Sequence, residues 1–165
     1  MKTILLALAL ITTSLVTGVF YAFAVSVIPA FSQLSDATYM DAMQQINIAI
    51  VNPAFLLSFM GAPVLLPVVT WLYSRPAFTR RSALLLAATV IFVIGTFGVT
   101  VAGNIPLNDK LAAFQLQGAT AAQIRAARGA FEGPWNSLHM VRTLAGMVAL
   151  VLVVAACLTK DKQSS

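Results

Sequence analysis

Charge is what this sequence has least of. Only 9% of its 165 residues are Asp, Glu, Lys or Arg, against 59% that are hydrophobic. A soluble domain carries roughly 25% charged residues, so a soluble enzyme and a disordered tail are both excluded. Cysteine occurs once, at Cys157, which excludes an internal disulfide framework, a Cys-based metal site and a haem-attachment motif. Histidine also occurs once, at His139. Two-histidine haem ligation and a multi-histidine zinc or copper centre are therefore out of reach within one chain, and only a single axial ligand stays open. The five carboxylates, Asp36, Asp41, Asp109, Glu132 and Asp161, all fall outside the long apolar runs. That removes the usual intramembrane proton relay, ion-coupled transport site and di-iron carboxylate site. There is no Gly-rich phosphate loop. The net charge of +5 comes from scattered Lys and Arg with no basic stripe, so no nucleic-acid partner is expected.

What is present is lipid-soluble helix. A membrane helix needs about 20 mostly apolar residues. Four stretches qualify, at about 3–31, 53–73, 82–103 and 135–158. They are continuous runs, not alternating ten-residue segments, so a closed β-barrel is excluded. The expected fold is an all-α integral-membrane four-helix bundle forming a single domain over 1–165. Lys2, Arg75, Arg80, Arg81, Lys160 and Lys162 fall on one side; Lys110, Arg125, Arg128 and Arg142 fall on the other. The short loop Ser74–Arg81 holds three positives and weighs most in the positive-inside rule. Both termini are thus expected in the cytoplasm, the membrane being a bacterial inner membrane, with Trp71 and Tyr73 as interfacial anchors. Ala22-Phe23-Ala24 after an apolar run also has the form of a signal cleavage site, with Val25 as the new N-terminus. The apolar run continues to Phe31, about twice the length of a signal core, which favours a span.

The two outer loops carry helices of their own. Ser35-Asp36 predicts an N-cap, followed by Met40, Met43, Ile46, Asn47 and Ile50 at helical spacing. In the longer loop, Pro106 predicts a turn, with Asn108 capping a helix to about Leu116 that Gly118 ends. Thr120 and Gln123 form a capping-box pattern for a helix to Phe131, with Ile124, Ala127 and Phe131 on one face and Gly133-Pro134 as its stop. Gly18 with Ala22, and Gly95 with Val99, predict close helix contacts. Pro63 and Pro67 kink the second span, which is expected to help line any pocket.

The polar residues concentrate at the outer membrane boundary. Asn104 and Asn108 follow the third span; Trp135, Asn136, His139 and Arg142 open the fourth; Asn47 and Asn52 precede the second. Asn136, His139 and Arg142, spaced three apart, form a slanted ribbon on one helix side, which Thr143 extends. Ionisable groups at the head of a span are functional candidates. Each also has an ordinary use: a packed histidine, a snorkelling arginine, asparagine turns before proline and an interfacial tryptophan.

These residues resemble the anthrone oxygenase-like family of small four-helix membrane proteins, many of whose bacterial members are a domain of unknown function. The matching pieces are Gly18-Val19-Phe20-Tyr21-Ala22-Phe23 with Pro29, Met43-Gln44-Gln45-Ile46-Asn47 with Asn52-Pro53, Asn104-Ile105-Pro106-Leu107-Asn108, and Trp135-Asn136 with His139 and Arg142-Thr143. The resemblance implies oxidation of an anthrone to an anthraquinone, an oxidoreductase or monooxygenase activity with molecular oxygen as co-substrate and no cofactor. It implies catalytic roles for His139, Arg142, Asn136, Asn104 and Asn108. His139 is the side chain whose ordinary pKa suits a base, the asparagines suit an oxyanion, and Arg142 suits a phenolate. Trp135, Asn47, Asn52 and Thr143 are then substrate-binding. The expected partners are membrane lipid and a hydrophobic aromatic small molecule; the sequence sets no oligomeric state. The alternative is a non-catalytic membrane protein whose polar cluster steadies the loops or binds a lipid or a partner protein. A transporter is disfavoured by the absence of mid-membrane charge and of an inverted repeat.

Overall fold

The computed structural model describes residues 1–159; Lys160 and Lys162, read above as part of the cytoplasmic charge, and the carboxylate Asp161 lie outside the described residues. Four helices are long and apolar enough to cross a membrane: α1 (Lys2–Phe31), α3 (Pro53–Tyr73), α4 (Arg80–Ala113) and α5 (Ala121–Leu158). A shorter helix, α2 (Asp36–Ala49), joins the first two spans. The protein is an integral-membrane four-helix bundle. Its spans close a ring in chain order: α1 packs on α3, α3 on α4, α4 on α5, and α5 returns to α1.

The burial pattern follows from the solvent. Ile4, Ile11, Leu57, Val64, Ile94 and Val151 point outward and are more than half exposed on the bare protein, which suits lipid. The interior combines large apolar side chains such as Phe92, Leu66 and Leu85 with small and hydroxylated residues. Gly95 sits so close to α5 that a Cβ there would lie 2.6 Å from the Ala145 Cβ, and at Gly146 a Cβ would lie 3.0 Å from the Thr17 Oγ1. Small residues let backbones approach where hydrophobic burial supplies no drive. Buried threonines tie spans together: the Thr70 and Thr89 hydroxyls meet at 2.8 Å, and Thr96 Oγ1 donates to the Arg142 carbonyl at 3.1 Å. Gly18, by contrast, has open space around it, so the expected Gly18–Ala22 contact face is replaced by Gly146 against Thr17.

The loop helices start where their caps place them. Ser35 accepts from the Thr38 amide, and Thr120 and Gln123 complete a capping box. Their ends differ from expectation. Neither Pro106 nor Gly133-Pro134 breaks its helix: α4 runs on to Ala113, with Asn108 inside it and not at its cap, and α5 is continuous through Pro134 for 38 residues. A proline ring clashes with the carbonyl four residues earlier. In α4 a π-helical turn, Thr100–Asn104, immediately precedes Ile105-Pro106, and in α1 another, Phe23–Val27, precedes Ile28-Pro29. The wider turn moves the obstructing carbonyl aside. Pro134 is preceded by Gly133, which has no Cβ for the ring to strike.

Being roughly 57 Å long at 1.5 Å per residue, α5 outreaches the hydrocarbon layer by its first three or so turns. With α2 and the end of α4 it builds a cap with its own core of Tyr39, Met40, Met43, Leu111, Phe131 and Trp135. Ile124 and Ala127 pack against that core, on the face predicted for them. Replacing Gly95 by Ala is expected to destabilise the bundle by about 1–3 kcal/mol through overpacking, whereas Gly18→Ala stays within about 0.5 kcal/mol. Unfolding midpoints in detergent check this; equal midpoints for the two variants would show that the α4–α5 approach is loose.

Candidate functional site

The chemistry collects where the span core meets the cap. A cavity of about 170 Å³ lies there, walled mainly by apolar side chains from all four spans and α2. From α1 come Phe20 and Phe23; from α3, Phe55 and Phe59; from α4, Thr100 and Asn108; from α5, Trp135, His139 and Arg142; and from α2, Asn47. The second span thus lines the cavity, through its first two turns and not through the prolines further along it.

His139 is fully buried, and both of its ring nitrogens are engaged. Arg142, one helical turn on, donates to His139 Nδ1 from Nε at 3.0 Å and from Nη2 at 2.8 Å. Guanidinium nitrogens only donate, so Nδ1 is the acceptor. The ring proton of the neutral imidazole then sits on Nε2, which donates to the Phe20 carbonyl at 3.1 Å. Thr143 gives its hydroxyl proton to the His139 carbonyl at 2.7 Å. The imidazole lies flat against the Trp135 indole, with centroids 4.9 Å apart and planes at 8°.

Arg142 does not snorkel; it is 7% exposed. Its guanidinium carbon lies 4.2 Å from the Phe20 ring centroid and 5.1 Å from that of Trp135. Its remaining donor, Nη1, reaches only as far as Thr100 Oγ1, at 3.5 Å. Among the described residues no carboxylate pairs with it. A buried charge is normally paired, since desolvation costs several kcal/mol. Here aromatic faces and one imidazole lone pair stand where a counter-anion would be.

The asparagines do not converge as five. Asn47 and Asn108 line the cavity. Asn108 accepts from Trp135 Nε1 at 2.7 Å, and Asn104, one turn earlier and fully buried, donates to the Trp135 carbonyl at 3.2 Å. The pair grips Trp135, and Asn104 itself is absent from the cavity wall. Asn52 caps α3 by accepting from the Phe55 amide at 3.0 Å. Asn136 faces a different small pocket, beside Tyr39 and Glu132, because one step of the slanted ribbon carries it past the cavity's edge. Two polar atoms near the site have no partner among the described residues: Asn47 Nδ2 and Asn104 Oδ1.

One network went unread in the sequence. Arg128 bonds Glu132 at 2.7 Å, the Leu34 carbonyl at 2.9 Å and Asp36 at 3.1 Å, and its guanidinium carbon lies 4.3 Å from the Tyr39 ring centroid. Burial pushes the Tyr39 phenol above its ordinary range, with Glu132 adding to the shift and Arg128 opposing it. The Arg128–Glu132 spacing of four residues was the available signal; the Phe20 carbonyl, a backbone atom from a distant helix, left none. This network locks the cap over the cavity.

Arg142→Met is expected to raise the unfolding midpoint of the ligand-free protein, because removing a buried charge that has no carboxylate partner among the described residues outweighs the lost hydrogen bonds to His139 Nδ1 and Thr100. A lowered midpoint in thermal unfolding would show that the guanidinium serves the fold and not a ligand.

Residues 55–152 match the profile of the family described as anthrone oxygenase, more than half of the chain. No curated protein and no solved structure gives a significant match. The matched stretch holds Asn104, Asn108, Trp135, His139 and Arg142, and the chain belongs to the anthrone oxygenase family.

Proposed function

We propose that this protein is a membrane oxygenase that oxidises a lipophilic phenol of the anthrone type with molecular oxygen and no cofactor. The observation that carries the reading is Arg142, a buried guanidinium with no carboxylate partner among the described residues, on the wall of an apolar cavity and beside the chain's one histidine. Such a cation suits an oxyanion.

The Arg142–His139 contact supplies the order of events. A phenolate or enolate oxygen that takes the Arg142 donors releases the lone pair on His139 Nδ1. That nitrogen then accepts a proton from the ring CH2, and the charge left on the carbon spreads to the oxygen at Arg142. The electron-rich anion passes an electron to oxygen, and the resulting pair combines to form a carbon–oxygen bond. The imidazolium protonates the peroxide. His139 then removes the second CH proton as the O–O bond breaks, and the departing hydroxide takes that proton. One oxygen atom ends in the new ring carbonyl and the other, with both hydrogens, in water. Asn108 and Asn104 hold Trp135, which keeps the imidazole plane fixed, and Thr143 secures the His139 backbone.

A second reading, non-catalytic binding of a lipid or a partner, draws support from the engagement of both His139 nitrogens. Oxygen uptake with a dihydroxyanthrone separates the two. His139→Ala is expected to lower the rate about 10²–10⁴-fold, the usual contribution of a general base. Full activity in that variant removes the base assignment, and no uptake by the parent protein favours the binding reading.

The charge distribution supports a bacterial inner-membrane protein with both termini in the cytoplasm. In a Cys157→Ser background, Thr120→Cys is expected to react with a membrane-impermeant maleimide in intact cells. Reaction only after lysis would invert the topology.

A further inference from the structure

The cavity is small for the family's substrate. A closed apolar cavity of about 150 Å³ is filled by one benzene, and this one is about 170 Å³. A single ring fits within it; the outer part of a fused three-ring molecule would extend past its mouth. What a ligand cannot place inside has one apolar exit, among Val19, Val51, Leu56 and Ile105, which line the cavity and are also 40% or more exposed. Val19 and Leu56 belong to spans, so that exit opens towards the lipid.

The polar atoms of the wall add a second constraint. Arg142 has no carboxylate partner among the described residues. Asn47 Nδ2, on α2, is a buried donor with no acceptor among the described residues. A buried amide left unpaired costs about 1–3 kcal/mol, so a ligand that satisfies it gains by the same order. The two donors come from different helices, α5 and α2, and each calls for its own oxygen. A simple phenol satisfies one of them.

We propose that the site takes a single aromatic ring bearing two oxygen substituents and an apolar tail that stays in the bilayer, a membrane-dissolved hydroquinone-type molecule. Arg142 holds one oxygen, Asn47 donates to the other, Phe20, Phe55 and Phe59 enclose the ring, and the tail leaves past Val19 and Leu56. The proposal rests on reading this cavity as the substrate site, but it concerns binding and does not depend on oxidation.

Trp135 lines the cavity, and the chain's other tryptophan, Trp71, is 60% exposed and lies near the far end of α3. In a Trp71→Phe protein in lipid nanodiscs under argon, Trp135 fluorescence therefore reports the site alone. The probes are decylhydroquinone, decylphenol and a dihydroxyanthrone. Decylhydroquinone is expected to bind at least about tenfold tighter than decylphenol, since 1.4 kcal/mol is a factor of ten, and tighter than the anthrone. Asn47→Leu is expected to bring the two decyl affinities together; Asn47→Ala, which adds no bulk, is the second variant, with gel-filtration profiles verifying the fold. A preference that survives both substitutions, or an anthrone that binds as tightly as decylhydroquinone, overturns the proposal. Failure of every probe to bind overturns it together with the substrate-site reading. The expected discrimination under argon, with no oxygen uptake in air, supports the ligand class and sinks the oxidation alone.

Discussion

The polar residues around the cavity hold one guanidinium almost wholly out of bulk water. The isolated charge of Arg142 has a high desolvation cost, and the surrounding structure offsets it in pieces: an imidazole lone pair, two aromatic faces and one distant hydroxyl. Each piece has its own support. The imidazole is fixed by the Phe20 carbonyl and the Trp135 ring, and Trp135 by Asn108 and Asn104. The polar residues are thus a chain of dependence that ends at the arginine.

Of three π-turns among the described residues, the two that precede prolines belong to the same arrangement. They lie in α1 and α4, the helices that face α5 at the site, and each widened turn presents a residue to the cavity: Phe23 from one and Thr100 from the other. Each also absorbs a proline just beyond it. Pro63, Pro67 and Pro134, by contrast, lie in unbroken α-helix, so the widened turns are tied to the cavity wall as well as to the prolines beyond them.

The spans were legible because lipid demands a long uninterrupted apolar run, and the α1 and α3 boundaries match their runs closely. The caps at Ser35 and Thr120 were legible because capping is local chemistry. The ends at Pro106 and Pro134 were not, since whether a proline stops a helix depends on the turn before it and on neighbouring helices. In the site, His139, Arg142 and Thr143 were readable as one face of one helix. Asn136 shares that ribbon in sequence but turns to another pocket, and Asn52 serves a cap. The meeting of Asn47 with Arg142 depends on how α2 folds over the bundle, and no spacing along the chain encodes that.

The ring of spans closes between the first helix and the last, and the Phe20 carbonyl and ring lie on that seam. α5 carries the buried His139 and Arg142, and these find their acceptors and aromatic cover on α1 and α4. During assembly in the bilayer, α5 gains nothing for its arginine from lipid and much from the groove those two helices present. The residues that make the site therefore also favour one register of the last span, the one in which the guanidinium meets its few stabilising contacts while still costing the ligand-free bundle stability.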